Sequence, residues 1–318
     1  MNSKSTDVWV VAACFNEADG ITRFIEVVLA QTDIDKLVLI DDGSSDSTVK
    51  TIREWMEKHP EAPVTLVELT RNFGKEAAML AGLDQVLGRC AAVIQMDSDL
   101  QHPPQLIPNM VRHWRAGAEM VTAVRDERDQ ESRLKILSAT GFYRLFNRLV
   151  DSIQLTDGAG DFRLLTPPVI EALTQLREHD RFSKGLYPWT GFHSVDIPYQ
   201  RPTRSSGSSS WKPHRLWLYA LDGLFSFSVL PLKFWTLLGV AISLLSLIYA
   251  FYELSITLLF GIDVPGWTTL VVAIFFLGGV QLIGIGILGE YIGRIYMESK
   301  RRPNYFIRRI HSGPDSRA

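Results

Sequence analysis

Through residues 1–205, short apolar runs alternate with stretches in which apolar side chains return every third or fourth position. A short apolar run closed by turn formers reads as a buried strand, and a return near 3.6 residues reads as an amphipathic helix. On that basis strands are predicted at Val8 to Ala13, Leu37 to Ile40, Val64 to Leu69, Ala92 to Met96 and Met120 to Ala123. Helices are predicted at Gly20 to Gln31, Ser47 to Lys58, Lys75 to Leu87 and Pro104 to Ala116. This alternation predicts an α/β domain with a doubly wound, Rossmann-like sheet. In such sheets ligands gather outside the carboxyl ends of the strands, and the acidic clusters of this chain fall there.

The pattern changes after residue 205. Arg201 to Ser210 is rich in Ser, Gly and Arg, and Trp211 to Phe227 mixes aromatic, aliphatic and basic residues. Residues 206–230 therefore predict a loop and an amphipathic helix lying in a membrane interface. From Phe234 to Phe260 the sole charge is Glu253, and Trp267 to Leu288 has none. Each stretch is long enough to cross a hydrocarbon core of ~30 Å, and helices of soluble proteins rarely run so far without a polar face. Residues 231–292 are thus expected to be a two-helix transmembrane anchor. Lys212, Arg215 and Lys233 precede it, Arg294, Lys300, Arg301 and Arg302 follow it, and the intervening Gly261 to Gly266 carries only Asp263. Positive charge stays inside, so the N-terminal domain and the basic tail, residues 293–318, are both expected in the cytoplasm. That tail is expected to be disordered from His311 onward. The apolar run Val8 to Phe15 is too short for a signal peptide and already reads as a strand.

Composition narrows the classes further. A chain of 318 residues, 46% of them apolar, can bury one large α/β domain and still supply an anchor. The formal charge of -2 gives no reason to expect a nucleic-acid partner. Cys14 and Cys90 lie in separate apolar runs without paired spacing, as buried thiols in a reducing compartment would. The seven His are scattered without the spacing of a zinc site.

Three segments carry candidate chemistry. Asp41, Asp42, Gly43, Ser44, Ser45 and Asp46 follow a strand and precede a helix. Exposed backbone N–H groups and carboxylates there suit a ribose, a base edge or a metal shell, although Asp and Ser are also ordinary helix caps. Asp97, Ser98 and Asp99 close the fourth strand, where two carboxylates can converge on one hard cation that also holds a diphosphate. Asp157 to Arg163 sets two acids and an arginine among small residues that allow close backbone approach, or else forms a structural turn. Arg125 with Arg128, and Arg201 with Arg204, supply paired guanidinium groups for phosphate oxyanions.

Together these motifs resemble glycosyltransferase family 2, in its polyprenyl-phosphate branch that includes dolichyl-phosphate mannose synthase and bactoprenol glucosyltransferase. The resemblance spans nearly the whole chain: VVAACFNE, IDDGSSDST, RNFGKEAAMLAGLD, MDSDLQHPP, GDFRLL, ALDGLFSFSVLPLK and LGGVQLIGIGILGEYIGRIYMESKRRPNYFI. It implies a GT-A type domain that binds a UDP-sugar through Asn16, Glu17, Asp41, Asp42, Asn72, Lys75, Asp97 and Ser98, with Mg²⁺ or Mn²⁺ at Asp97 and Asp99. Candidate catalytic carboxylates are Asp161, Asp157 and Asp99, and Arg125, Arg128, Arg163, Arg201 and Arg204 are expected to meet a lipid phosphate. The implied reaction is inverting transfer of a hexose, glucose or another, to undecaprenyl phosphate at a bacterial inner membrane. A homo-oligomer, with a tetramer suggested by similar proteins, is expected through Gly278, Gly279, Gly284, Gly286 and Gly289, whose small size lets helices approach. The chain departs from the family pattern at Ala13, usually Pro, at His102, usually Asp, and at Ser210, usually Lys. Lys212 or Arg204 stands in reserve for the last.

Competing readings make different demands. A processive polysaccharide synthase would carry a QxxRW signature and more spans, neither present in this sequence. An inert membrane scaffold would have no need of Asp97, Asp99 and Asp161. A transporter needs a polar site at mid-membrane, which two apolar spans do not offer.

Overall fold

The computed structural model describes residues 7–125, 147–148, 153–156, 158–200, 230–260 and 266–313. They fall into two units, Met1–Ala220 with Arg302–Ala318, and Leu221–Arg301.

The first unit is built on one eight-stranded sheet. Its centre is parallel: β1 (Val8–Cys14) lies between β2 (Lys36–Asp41) and β4 (Ala92–Asp97), and β3 (Val64–Leu69) flanks β2. These strands are buried along almost their whole length, because helices cover both faces, and that is why they read as unbroken apolar runs rather than alternating ones. Helix α1 (Ile21–Leu29) buries Ile21, Phe24, Ile25 and Val28, and α2 (Thr48–Lys58) buries Thr48, Ile52 and Trp55, the one-sided stripes expected of a 3.6-residue period. Helix α3 (Lys75–Val86) is buried nearly all round. Its Ala77, Ala78, Ala81 and Gly82 keep it thin, and Gly82 faces Val11 and Ile40 so closely that α3 lies directly on β1 and β2. After β4, a 3₁₀ turn at Pro104–Leu106 leads into α4 (Ile107–Arg115).

Beyond α4 the sheet stops being doubly wound. Strand β5 (Met120–Arg125) does not pair with β4; β6 (Ala159–Leu165) lies between them, antiparallel to both. The doubly wound α/β sheet expected from the sequence is present in its parallel half, and β6, a strand not predicted, makes the whole sheet mixed. The strand was hidden because Asp161 and Arg163 looked like a ligand loop. They in fact alternate with Phe162 and Leu164, which are fully buried on the opposite face, as a strand with one polar face requires. Helices α5 (Pro167–Gln175) and α6 (Ser183–Trp189) follow, and β7 (Ser194–Tyr199) pairs parallel with β5 at the sheet edge.

A correction concerns the chain end. Ile307–Ser312 is a strand, β8, that pairs antiparallel with β3, so His311 lies in the sheet instead of opening a disordered tail. Arg308 and Arg309 keep this edge charged, a common protection against further strand pairing.

The second unit contains α7 (Leu230–Phe260) and α8 (Trp267–Ser299). One stretch, Ala273–Ser299, is long and apolar enough to cross a membrane, and Phe234–Tyr249 is a shorter apolar stretch. Trp235 of α7 packs on Gly284 of α8, so this glycine serves contact within the chain, whereas Gly278, Gly279, Gly286 and Gly289 have open space beside them. The expected interfacial helix lies outside the described residues.

Candidate active site

The carboxyl ends of β1, β2 and β4 form a continuous rim. Asn16 adopts a left-handed backbone (φ 56°), which turns its side chain across to the next strand end. Its Oδ1 accepts from the Ser45 N–H at 2.8 Å, and its own N–H donates to Ser44 Oγ at 2.9 Å. The Glu17 N–H donates to Thr48 Oγ1 at 2.8 Å. The two loops are thus stitched together by short polar side chains, which explains why Asn, Ser and Thr recur there.

Asp41 and Asp42 divide the work of the next loop. Asp41 is buried, and its Oδ2 accepts the Ser44 N–H at 3.0 Å, so it builds the turn from inside. Asp42 accepts the Phe73 N–H at 2.7 Å and the Gly74 N–H at 2.9 Å, one on each oxygen. Burial pushes both carboxyls up; the Ser44 hydroxyl and N–H pull Asp41 partly back, and the Phe73 and Gly74 N–H groups do the same for Asp42. Gly43 (φ 68°) allows this meeting: an added Cβ would stand 2.6 Å from Asn72 N and 2.7 Å from Arg71 Cα. Asn72 itself is exposed at the rim.

At the end of β4, Asp97 and Asp99 are partly exposed. The loop between them is held by Ser98 Oγ, which donates to Ala13 O at 3.0 Å, and by the Gln101 N–H, which donates to Asp99 Oδ1 at 3.0 Å. Leu100 takes a left-handed conformation (φ 56°), uncommon for a bulky residue and typical of functional sites. His102 is buried, stacks on Phe162 at 5.1 Å between centroids, and accepts the Asp97 N–H on Nδ1 at 3.0 Å. Burial holds this imidazole below its ordinary pKa, so it is neutral with its proton on Nε2. The departure at His102 therefore acts as a brace behind Asp97.

Pairing of β6 beside β4 brings the site together. Lys75, at the start of α3, reaches Asp97 Oδ1 and Asp161 Oδ2, each at 2.6 Å. Burial alone would raise the Asp161 carboxyl, but Lys75 outweighs it and pulls the group down to about 2. Burial would likewise lower Lys75, and the two carboxylates hold it well above its ordinary value instead. Lys184 of α6 adds a weaker attraction on Asp161. Next along β6, Arg163 is buried: its Nε donates to Gly160 O at 3.0 Å, its Nη1 to Thr122 Oγ1 at 2.7 Å, and its guanidinium lies 4.2 Å over the Tyr187 ring. It braces β6 against β5. Tyr187 in turn donates to Gln95 Oε1 at 2.6 Å. A cavity of about 310 Å³ opens beside this brace, lined in part by Thr122, Ala159, Arg163, Lys184, Ser194 and Asp196.

Of the residues expected from the sequence, Lys75, Asp97 and Asp161 converge, with Asp99 beside them on the same loop. Arg125 ends β5, where its N–H donates to Gly158 O. Asp157, Arg128, Arg201 and Arg204, with Ser210 and Lys212, lie outside the described residues. Sequence reasoning missed Glu76, Tyr187 and Lys184. Glu76, paired with Ser183 Oγ, is pushed up by burial and then by Asp161. A carboxylate directly before the apolar run Ala77 to Leu83 was the available signal for Glu76; nothing local marked the other two.

The donor set at Asp97 and Asp99 fits a hard divalent cation. Both are oxygen ligands at a solvent-accessible strand end, and among the described residues no third His, Cys, Asp or Glu joins them. Such a pair leaves coordination positions for diphosphate oxygens and water, the usual arrangement for Mg²⁺ or a similar ion.

Comparison with known proteins agrees with this geometry. Residues 9–174 match the family model described as glycosyl transferase family 2. An uncharacterized glycosyltransferase of Synechocystis sp. is 43% identical over 302 residues, 94% of this chain and 93% of that protein. The SfII prophage-derived bactoprenol glucosyl transferase of Shigella flexneri is 42% identical over 308 residues, 96% of this chain and 98% of that protein. A prophage bactoprenol glucosyl transferase homolog of Escherichia coli K12 is 39% identical, covering 95% of this chain and 98% of that protein. With Asp42 and Asp97 at the ends of parallel strands, Asp161 beside them on β6, residues 9–174 matched by the family model and relatives matched along almost its entire length, this chain belongs to glycosyl transferase family 2 and is a glycosyltransferase.

Proposed function

We propose that the protein transfers a hexose, glucose in the first instance, from a UDP-sugar to a polyprenyl phosphate such as undecaprenyl phosphate, with inversion at the anomeric carbon. The observation that carries the reading is the Lys75 bridge. One ammonium touches both Asp97, of the pair read as holding the metal, and Asp161 of β6, each at 2.6 Å, which supports a reading in which donor and acceptor meet there. Relatives named bactoprenol glucosyl transferases support the acceptor class and the sugar.

In this reading the uridine lies along the Asn16–Glu17 and Asp42 rim, with Asp41, Asn72 and Ser98 shaping the loops around it. The diphosphate reaches Asp97 and Asp99, which would hold Mg²⁺ or Mn²⁺. When bound, that ion supplies charge neutralisation on the leaving diphosphate. The acceptor is a phosphate monoester with a second pKa of about 6, mostly a dianion at neutral pH, so its oxygen needs no strong base. What the site must supply is cationic charge where two anions meet. Lys75 and Lys184 provide it beside Asp161, and Arg125, Arg128, Arg163, Arg201 and Arg204 are the arginines we propose for the lipid phosphate. Asp161, kept ionised by Lys75, orients the acceptor or its cations; Asp157 is the second candidate for that task. Helices α7 and α8 serve as a two-span anchor in the bacterial inner membrane, with the catalytic unit cytoplasmic, and confine enzyme and acceptor to one surface. Assembly as a homo-oligomer, a tetramer in this reading, thickens that anchor.

The test is transfer of labelled sugar from a panel of UDP- and GDP-sugars to undecaprenyl phosphate in detergent, with and without Mn²⁺. Metal-dependent transfer from UDP-glucose that is lost in Asp99→Ala is the expected result. Labelled lipid from another donor would change the sugar, and no lipid product with any donor would refute the reading.

A further inference from the structure

The residues that follow α8 do more than close the sheet. Tyr305 donates its hydroxyl to Asp84 Oδ2 of α3 at 2.5 Å, and Arg177 grips the same carboxylate through both Nη atoms at 2.6 and 2.7 Å. The Asn304 amide donates to Glu178 O at 2.8 Å. Next to Tyr305, Phe306 O accepts the Thr70 N–H at 2.9 Å, and its ring meets Phe73 at 6.3 Å between centroids, tilted by 53°. Arg308 then donates to Thr70 O at 2.8 Å. The chain end thus holds α3 at its far end and, in the same strap, the loop Arg71–Gly74 that enters α3.

Both held elements act at the site. The loop delivers the Phe73 and Gly74 N–H groups to Asp42, and α3 delivers Lys75 to Asp97 and Asp161. Arg71 further lays its guanidinium 4.1 Å over the Phe73 ring, so the ring is clamped between Arg71 and Phe306. We infer that Asn304–Phe306 is a clasp that positions the donor-binding loop, and that Tyr305 and Phe306 are positioning residues for nucleotide-sugar binding. This rests on the reading of the Asp42 rim as the donor site. The Phe306 ring is half-exposed (54%), so its burial contributes little to stability, whereas its contact with Phe73 is a direct handle on the loop.

The test uses the full chain in detergent with undecaprenyl phosphate, varying UDP-glucose in the presence of Mn²⁺. Phe306→Ala is expected to raise the donor KM roughly tenfold while kcat and the acceptor KM stay within about twofold, the signature of lost ground-state positioning. Phe306→Tyr restores the donor KM, and hydrogen exchange at residues 71–74 quickens in Phe306→Ala alone. Asp42→Asn is the control for the underlying reading. If it raises the donor KM and Phe306→Ala does not, the clasp is refuted and the donor site stands. If Asp42→Asn leaves the donor KM unchanged, the donor-site reading fails, and unaltered exchange at 71–74 in Phe306→Ala then refutes the clasp as well. Should Phe306→Ala not fold, Tyr305→Phe, which removes one hydroxyl, is read in the same assays; unchanged donor KM and unchanged exchange in it overturn the inference.

Discussion

Gly43→Ala isolates the loop geometry on which the Asp42 rim depends. The new methyl carbon meets two costs. The first is conformational: a non-glycine residue at φ 68° lies in the left-handed region, at about 1–2 kcal/mol. The second is steric, since Asn72 N and Arg71 Cα would stand 2.6 and 2.7 Å from that carbon, against roughly 3.5–4.0 Å for an ordinary contact. These are backbone atoms and cannot rotate away, so Arg71–Asn72 must shift by about 1 Å, an overpacking cost of roughly 1–3 kcal/mol. The expected loss of stability is therefore about 2–5 kcal/mol, and the displaced Phe73 and Gly74 amides leave Asp42. Gly88 supplies the comparison. It has φ 72° and nothing within 4 Å of an added Cβ, so Gly88→Ala carries the conformational cost alone. Thermal unfolding of the purified full chain, together with KM for UDP-glucose, separates the two. Gly43→Ala should melt well below Gly88→Ala and bind donor at least tenfold more weakly, since a misplacement of about 1 Å can cost as much as 10²-fold. If the two variants melt together and share the parent's donor KM, the close approach of Gly43 to Arg71 does not shape the site and the reasoning fails.

Two further outcomes follow from the electrostatics and burial. In Lys75→Met, Asp161 loses the partner that holds it down to about 2, and burial then raises it. In the parent, that depressed carboxyl stabilises the fold above the ordinary carboxylate pKa, and this contribution is lost as pH falls towards 2. The stability gap between parent and Lys75→Met should therefore be widest at neutral pH and narrow as pH falls from ~4 towards ~2; a difference in melting temperature that ignores pH would contradict the assignment. Cys14 and Cys90 are buried free thiols raised by burial, Cys90 to about 12. A maleimide at pH ~8 should leave both unlabelled in the native chain and label both after denaturation, since the thiolate is the nucleophile; rapid native labelling would show that one of them is accessible.

The sequence by itself determined the parallel half of the fold. Strands β1 to β4 are covered on both faces and so read as plain apolar runs, and α1, α2 and α4 carry one-sided stripes; a local pattern was enough for each. It also located Asp42, Asp97 and Asp99, because acids at strand ends follow directly from the alternation of strand and helix. Only the tertiary structure decided which of these groups work together. Lys75 and Asp161 are 86 positions apart, and no local pattern states that β6 turns back to pair between β4 and β5. The same holds for the chain end: IRRIHS is too polar to read as a strand, and it becomes one because β3 offers an unpaired edge. Local propensity and periodicity are written along the chain, whereas strand order and the meeting of charges are set by which edges and faces remain to be covered once the core has closed.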